Sequence, residues 1–137
     1  MPDDFQDHLT FIISKLFRFK TIRSAYTKQD DRLKRIKELL DRFPDTDISL
    51  EELANKAFLS MFHFSRLFKK HTGLAPHRYQ LDGRIRLGRN LLERQIPVGD
   101  VAIMSGFYDT SHFVRHFRQY YGVTPNEFQK GMQTIPK

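Results

Sequence analysis

The second half of this chain repeats part of the first, and the duplication limits the fold to two like units. Residues 62–79 and 111–128 align at an offset of 49. Six of eighteen positions are identical: His63/His112, Phe64/Phe113, Arg66/Arg115, Phe68/Phe117, Gly73/Gly122 and Pro76/Pro125. Lys69/Arg118, Leu74/Val123 and Tyr79/Phe128 are close replacements. Upstream the match continues at an offset of 48, with Leu53/Val101, Ala54/Ala102 and Leu59/Phe107. The turns inside the two copies therefore differ by one residue. A repeated supersecondary unit buries its apolar face by the same packing each time.

The period of the apolar residues makes both units helical. Leu33, Ile36, Leu39 and Leu40 mark a helix from about Asp31 to Phe43, which Pro44 ends. Ser49 with Glu52 forms a capping box ahead of Leu50, Leu53, Ala54 and Ala57. Ser60 caps a helix with Phe64, Leu67, Phe68 and His71 on its apolar side, stopped by Gly73. Pro76 opens a long helix to about Gln95, with Tyr79, Ile85, Leu91 and Leu92 inward. Pro97 opens a short helix with Val98, Val101, Ala102 and Ser105 inward, ended by Gly106. Asp109 caps the next, with Phe113, Phe117 and Tyr120 inward and Gly122 as its stop. Thr124-Pro125-Asn126-Glu127 starts a last helix carrying Phe128 and Met132. The fold class is all-α, with about seven helices. Two short-helix, tight-turn, helix pairs have the pattern of helix-turn-helix units.

Shared packing explains the repeated phenylalanines but not the repeated cations. Arg66/Arg115 and Lys69/Arg118 fall on the opposite helical face, with Phe62/Ser111 and Ser65/Val114. An arginine there has the fork geometry to meet guanine O6 and N7. Ser65 and Thr110 are small enough to let a helix approach base edges, and Phe62 or Val114 can meet a thymine methyl. Lys69 and Arg118, one turn on, would reach phosphates. The net charge of +7 and pI near 9.8 suit a polyanionic partner.

The chain has no cysteine, which removes thiolate chemistry and cysteine-held zinc. It contains no phosphate-binding glycine loop, nucleophile–base arrangement or carboxylate pair. It reads as no enzyme and needs no cofactor. His112 and His116 have a spacing that allows a shared metal, but no third ligand lies near them in sequence, so no metal site is expected. No stretch is apolar enough to span a bilayer and the N-terminus lacks a secretory pattern, so the expected location is cytoplasmic, with the nucleoid.

Gly106-Phe107-Tyr108-Asp109-Thr110-Ser111-His112-Phe113-Val114-Arg115-His116-Phe117-Arg118, followed by Gly122-Val123-Thr124-Pro125 and Phe128, resembles the signature of the AraC/XylS family of bacterial transcription regulators. The upstream half agrees through Leu53-Ala54, Ser60, Arg66-Leu67-Phe68-Lys69-Lys70, Thr72-Gly73, Pro76, Tyr79 and Arg84-Ile85. The resemblance implies two homeodomain-like helix-turn-helix subdomains on a linker helix, both touching one face of double-stranded DNA. It sets the first at about 49–73, the linker at about 76–95 and the second at about 98–122, within a domain over 31–132. Carried over by position, base contacts fall at Met61, Phe62, Ser65 and Arg66 in the first unit, and at Thr110, Ser111, Val114 and Arg115 in the second. The resemblance further implies an activator that contacts RNA polymerase. The competing reading is a helical interaction module that regulates another factor without touching DNA.

Three departures from the family pattern stand out. Phe58 replaces a frequent glycine in the first turn, Gly88 replaces a usual alanine in the linker, and Gln129 replaces the closing arginine. Gly88 fits either close packing or a softened hinge. Residues 1–30 form a helical extension whose stripe is Phe5, Leu9, Ile12, Leu16 and Phe19, with Lys15, Arg18, Lys20 and Arg23 adding charge. Docking on the core, homodimerisation and the remnant of a sensor domain all remain open for it, with no membrane role favoured.

Overall fold

In a computed structural model, the backbone is described for residues 2–133 and side chains for residues 9–15 and 28–133. The expected stripe positions Phe5, Leu16 and Phe19, and the cations Arg18, Lys20 and Arg23, lie outside the described residues. Seven helices make up the described chain: α1 (Pro2–Arg42), α2 (Leu50–Lys56), α3 (Met61–Thr72), α4 (Pro76–Glu93), α5 (Val98–Met104), α6 (Thr110–Tyr121) and α7 (Pro125–Gln133). The duplication is exact in element length. α2 and α5 have 7 residues each, and α3 and α6 have 12 each.

Local signals set the ends of these helices. Ser49 accepts from the Glu52 amide while the Glu52 carboxylate accepts from the Ser49 amide, at 3.1 and 3.3 Å. Ser60 accepts from the His63 amide at 3.2 Å and Asp109 from the His112 amide at 2.7 Å. Thr124 and Glu127 form the second reciprocal box. Each cap satisfies an amide that the first helical turn leaves without an acceptor, a contribution of about 1 kcal/mol. Gly73 and Gly122 close α3 and α6 in left-handed conformation.

The core is split in two. Leu33, Ile36 and Leu40 of α1 pack with Leu53, Ala54, Ala57, Phe64 and Phe68. The second core takes Val98, Val101, Ala102, Phe107, Phe113 and Phe117. α4 is not a neutral spacer between them. Its buried Leu81, Ile85, Leu91 and Leu92 all belong to the second core, and only Tyr79 packs on the first. Tyr79 also donates to Asp41 of α1, and burial followed by that carboxylate pushes its hydroxyl far above the ordinary tyrosine pKa. His71, expected on the apolar side of α3, is exposed in the last turn of that helix, where it belongs to neither core.

α1 runs without a break through residue 30, so the expected 31–43 helix is its C-terminal part. At 1.5 Å per residue it is about 60 Å long, and among its described side chains the core residues are Leu33, Ile36 and Leu40 near one end. Leu9, Phe11, Ile12 and Ile13 are exposed on it. No described helix is long and apolar enough to cross a membrane.

The structure decides between the two readings of Gly88. A Cβ there would meet Phe113 Cε2 at 2.7 Å and Cζ at 3.0 Å. The Phe113 ring is fully buried against Phe107 and Phe117, so it has no free direction in which to move. Gly88 therefore admits α6 to close contact with α4. Gly88→Ala gains about 1 kcal/mol of helix propensity but overpacks the ring, which costs about 1–3 kcal/mol. The expected result is a net loss of stability in urea unfolding. A stabilised variant would restore the hinge reading.

Candidate nucleic-acid interface

The expected contact residues converge on one side of the two second helices. On α3, Met61, Phe62, Arg66 and Lys69 are exposed and Ser65 is half-buried. On α6, Thr110, Ser111, Arg115 and Arg118 are exposed and Val114 is half-buried. Phe64/Phe68 and Phe113/Phe117 hold the opposite sides at zero exposure, so the orientation of each helix is set by its buried aromatics. Thr110, Ser111, Val114, Arg115 and Arg118 line one open groove together with Thr124 at the start of α7.

Charge on this face is uncompensated. The ion pairs of the described residues are Lys37–Asp41, Arg86–Asp82 and Arg89–Glu93, all i,i+4 pairs on α1 and α4. Arg66, Lys69, Lys70, Arg115 and Arg118 take part in none of these. Neither α3 nor α6 has an acidic residue in its first turn; α3, capped by the neutral Ser60, keeps the positive end of its dipole, whereas the Asp109 carboxylate caps that of α6. The Arg66 guanidinium lies over the Phe62 ring, 5.5 Å from its centroid, and Phe62 is 72% exposed. Ser111 occupies the equivalent place in the second unit, so Arg115 has no such platform.

The two turns before these helices differ in chemistry. Phe58 and Gly106 are equivalent at the offset of 48, and both take positive φ, 58° and 90°. Phe58 is 77% exposed, with the Arg32 guanidinium 4.4 Å from its ring centroid. Left-handed backbone costs a residue with a Cβ roughly 1–2 kcal/mol, against about 0.5–1 kcal/mol for an exposed cation–π contact. Phe58→Gly is expected to raise thermal stability by up to about 1 kcal/mol without altering the first turn, and a lowered melting temperature would contradict this.

Three features escaped the sequence. Arg84 donates from Nε to Pro44 O at 3.0 Å and from an Nη to Thr46 O at 3.1 Å, fixing the α1–α2 loop to α4. Gly106 of the second unit abuts Asp45 of that same loop. Gln129 donates to Ile96 O at 2.5 Å and to Leu92 O at 3.4 Å, so it ties α7 to the end of α4. Arg84 was visible as part of a family motif, but its acceptors lie about forty residues away and no local pattern points to them.

His112 and His116 meet through Nε2 atoms 3.0 Å apart. Burial, then the neighbouring His112, Arg115 and His77, lowers the His116 pKa below the ordinary histidine value. Among the described residues no three histidine or acidic side chains stand close enough to hold a metal ion as placed.

Two like units, each with a capped, basic, exposed second helix, define a double helix-turn-helix domain. A family model described as a helix-turn-helix domain matches residues 53–131, from within α2 to within α7. The chain belongs to the AraC/XylS family of helix-turn-helix regulators. It is 42% identical over 83 residues to the probable transcriptional regulator LumQ of Photobacterium leiognathi, covering 60% of this chain and 34% of that protein. It is 31% identical over 121 residues to the transcriptional activator RhaS of Klebsiella pneumoniae, covering 88% of this chain and 44% of that protein. The chain thus spans less than half the length of these curated relatives. The DNA-binding domain of AdpA, a global transcriptional factor solved with a target DNA, superposes with a TM-score of 0.71 at 26% identity, covering 74% of this chain and 93% of that one. These relatives and the fold are those of transcription-regulator domains rather than enzymes.

Proposed function

We propose that this chain is a sequence-specific DNA-binding transcription regulator that lays α3 and α6 in successive major grooves on one face of the duplex. The observation that carries this is the pair Arg66 and Arg115, exposed at repeat-equivalent positions on helices whose other sides are locked by phenylalanine. Met61, Phe62, Ser65 and Arg66 then read the first half-site, and Thr110, Ser111, Val114 and Arg115 the second. Lys69 and Arg118 grip phosphate. The regulator acts as an activator through RNA polymerase, a reading supported by the likeness to an activator. The exposed Leu9, Phe11, Ile12 and Ile13 on α1 support self-association through that helix.

Selection of duplexes from a random pool, followed by footprinting, tests the reading. Two protected patches about 10 base pairs apart on one face are expected, the spacing of one helical turn. A single short patch would mean that the units do not read DNA together. Affinity should fall along a straight log–log salt line, because each cation placed on a phosphate releases a counterion. Lys69→Ala should weaken every sequence alike and lower that slope by about one. A slope near zero in the parent would favour the interaction-module reading.

A further inference from the structure

The recognition face leaves one cluster of α6 unused. His112 and His116 lie on a third side of the helix, away from both Phe113/Phe117 and Arg115/Arg118. They line a cavity of about 360 Å³ together with Asp47 of the α1–α2 loop, His77 in the first turn of α4 and the cationic Arg84, whose guanidinium is tied to Pro44 O and Thr46 O. The cavity therefore has one wall from the second unit and the other from α4, with Asp47 of the α1–α2 loop at its side.

We propose that this cavity is a site for a nitrogen-preferring divalent transition metal ion, held by Nε2 of His112 and Nε2 of His116. Metal–imidazole bonds are about 2.0–2.1 Å long. Two nitrogens 3.0 Å apart can both reach one ion at that length, with an angle of about 90° between the bonds. That is the cis angle of square-planar or octahedral coordination, which suits Ni²⁺ and Cu²⁺. Tetrahedral Zn²⁺ would need the pair to open by a few tenths of an ångström. In the metal-free pair one Nε2 donates its hydrogen to the other, whichever tautomer holds. When the ion enters, that hydrogen moves to Nδ1 of its own ring and both Nε2 lone pairs bind the metal with no change in charge. The buried Nδ1–H of His116 then has no acceptor among the described residues, a cost that the second metal–nitrogen bond must exceed. The remaining positions face the cavity. Water fills them, or the exposed side chains of Asp47 and His77 swing in and close the site between the units.

The duplication supplies an internal control. His63 stands where His112 does, but Leu67 stands where His116 does, so the first unit has one imidazole and no pair. The site is a property of the second unit alone.

Titration of the tag-free full chain with Ni²⁺ by calorimetry, without DNA, tests the proposal independently of the DNA-binding reading. One saturable site per chain is expected. His112→Gln and His116→Gln should each weaken it at least about tenfold, the low end of what loss of even an outer partner costs at such sites. His63→Gln should leave it unchanged. Circular dichroism confirms that each variant is folded, and Cu²⁺ spin resonance of the parent should show coupling to two nitrogens. Saturable binding that survives in both glutamine variants would place the ion on other histidines and overturn the site. So would the absence of saturable binding. Asp47→Asn or His77→Gln should weaken binding further if the cavity closes around the ion. If neither has an effect, closure across the units is overturned while the histidine pair stands.

Discussion

Replacing Arg66 and Arg115 together by alanine yields a folded chain that binds duplex DNA without the parent's preference for sequence. A bidentate arginine–guanine contact discriminates by about 1–3 kcal/mol, so each single variant should lose that much on the best site. The two side chains sit on separate units with separate cores, so the losses should add. The double variant then binds the best site about 30-fold more weakly, or worse, while non-specific binding through Lys69, Lys70 and Arg118 persists. Each single change should relax preference in one half-site only. The Arg66 loss should be the larger, because Phe62 holds that guanidinium in place and Lys69 and Lys70 flank it. Folding should survive, since both arginines are exposed and in no ion pair among the described residues. Selection on each folded variant decides the matter. The recognition reading would be falsified if preference stayed intact at every position in both.

Gly106→Ala should destabilise the chain by about 2–5 kcal/mol, the largest stability effect expected of any single methyl group here. Two costs combine. At φ 90° an added Cβ strains the backbone by roughly 1–2 kcal/mol. The same Cβ would stand 2.9 Å from Asp45 Cα and 3.0 Å from Asp45 O, which are backbone atoms held by Arg84 through Pro44 and Thr46. Overpacking against a fixed neighbour adds about 1–3 kcal/mol. Relief would come only by parting the second turn from the α1–α2 loop, so the variant should also blur the footprint spacing between the two half-sites. Urea unfolding with an unchanged midpoint would show that this contact does not form. Phe58, at the equivalent place, tolerates a whole aromatic ring because no loop lies over it.

Much of this protein was written locally. Capping pairs three residues apart, prolines at first turns, glycines at stops and the 3.6-residue apolar period each depend on neighbours within one or two turns. They determine the helices, their ends, the duplicated 7- and 12-residue pairs and the two cores that those pairs imply. The exposed side of α3 and α6 followed too, because burying Phe64/Phe68 and Phe113/Phe117 leaves only one place for Arg66 and Arg115. What tertiary structure alone decided are contacts between residues roughly 25 to 70 apart in sequence. Gly88 is required by a ring on α6, and Gly106 by a loop after α1. Gln129 serves α4, and His77 and Asp47 share a cavity with the α6 histidines. A glycine carries no side chain from which to read its neighbour. A polar side chain names the bond that it can make but not the distant group that will be there to make it.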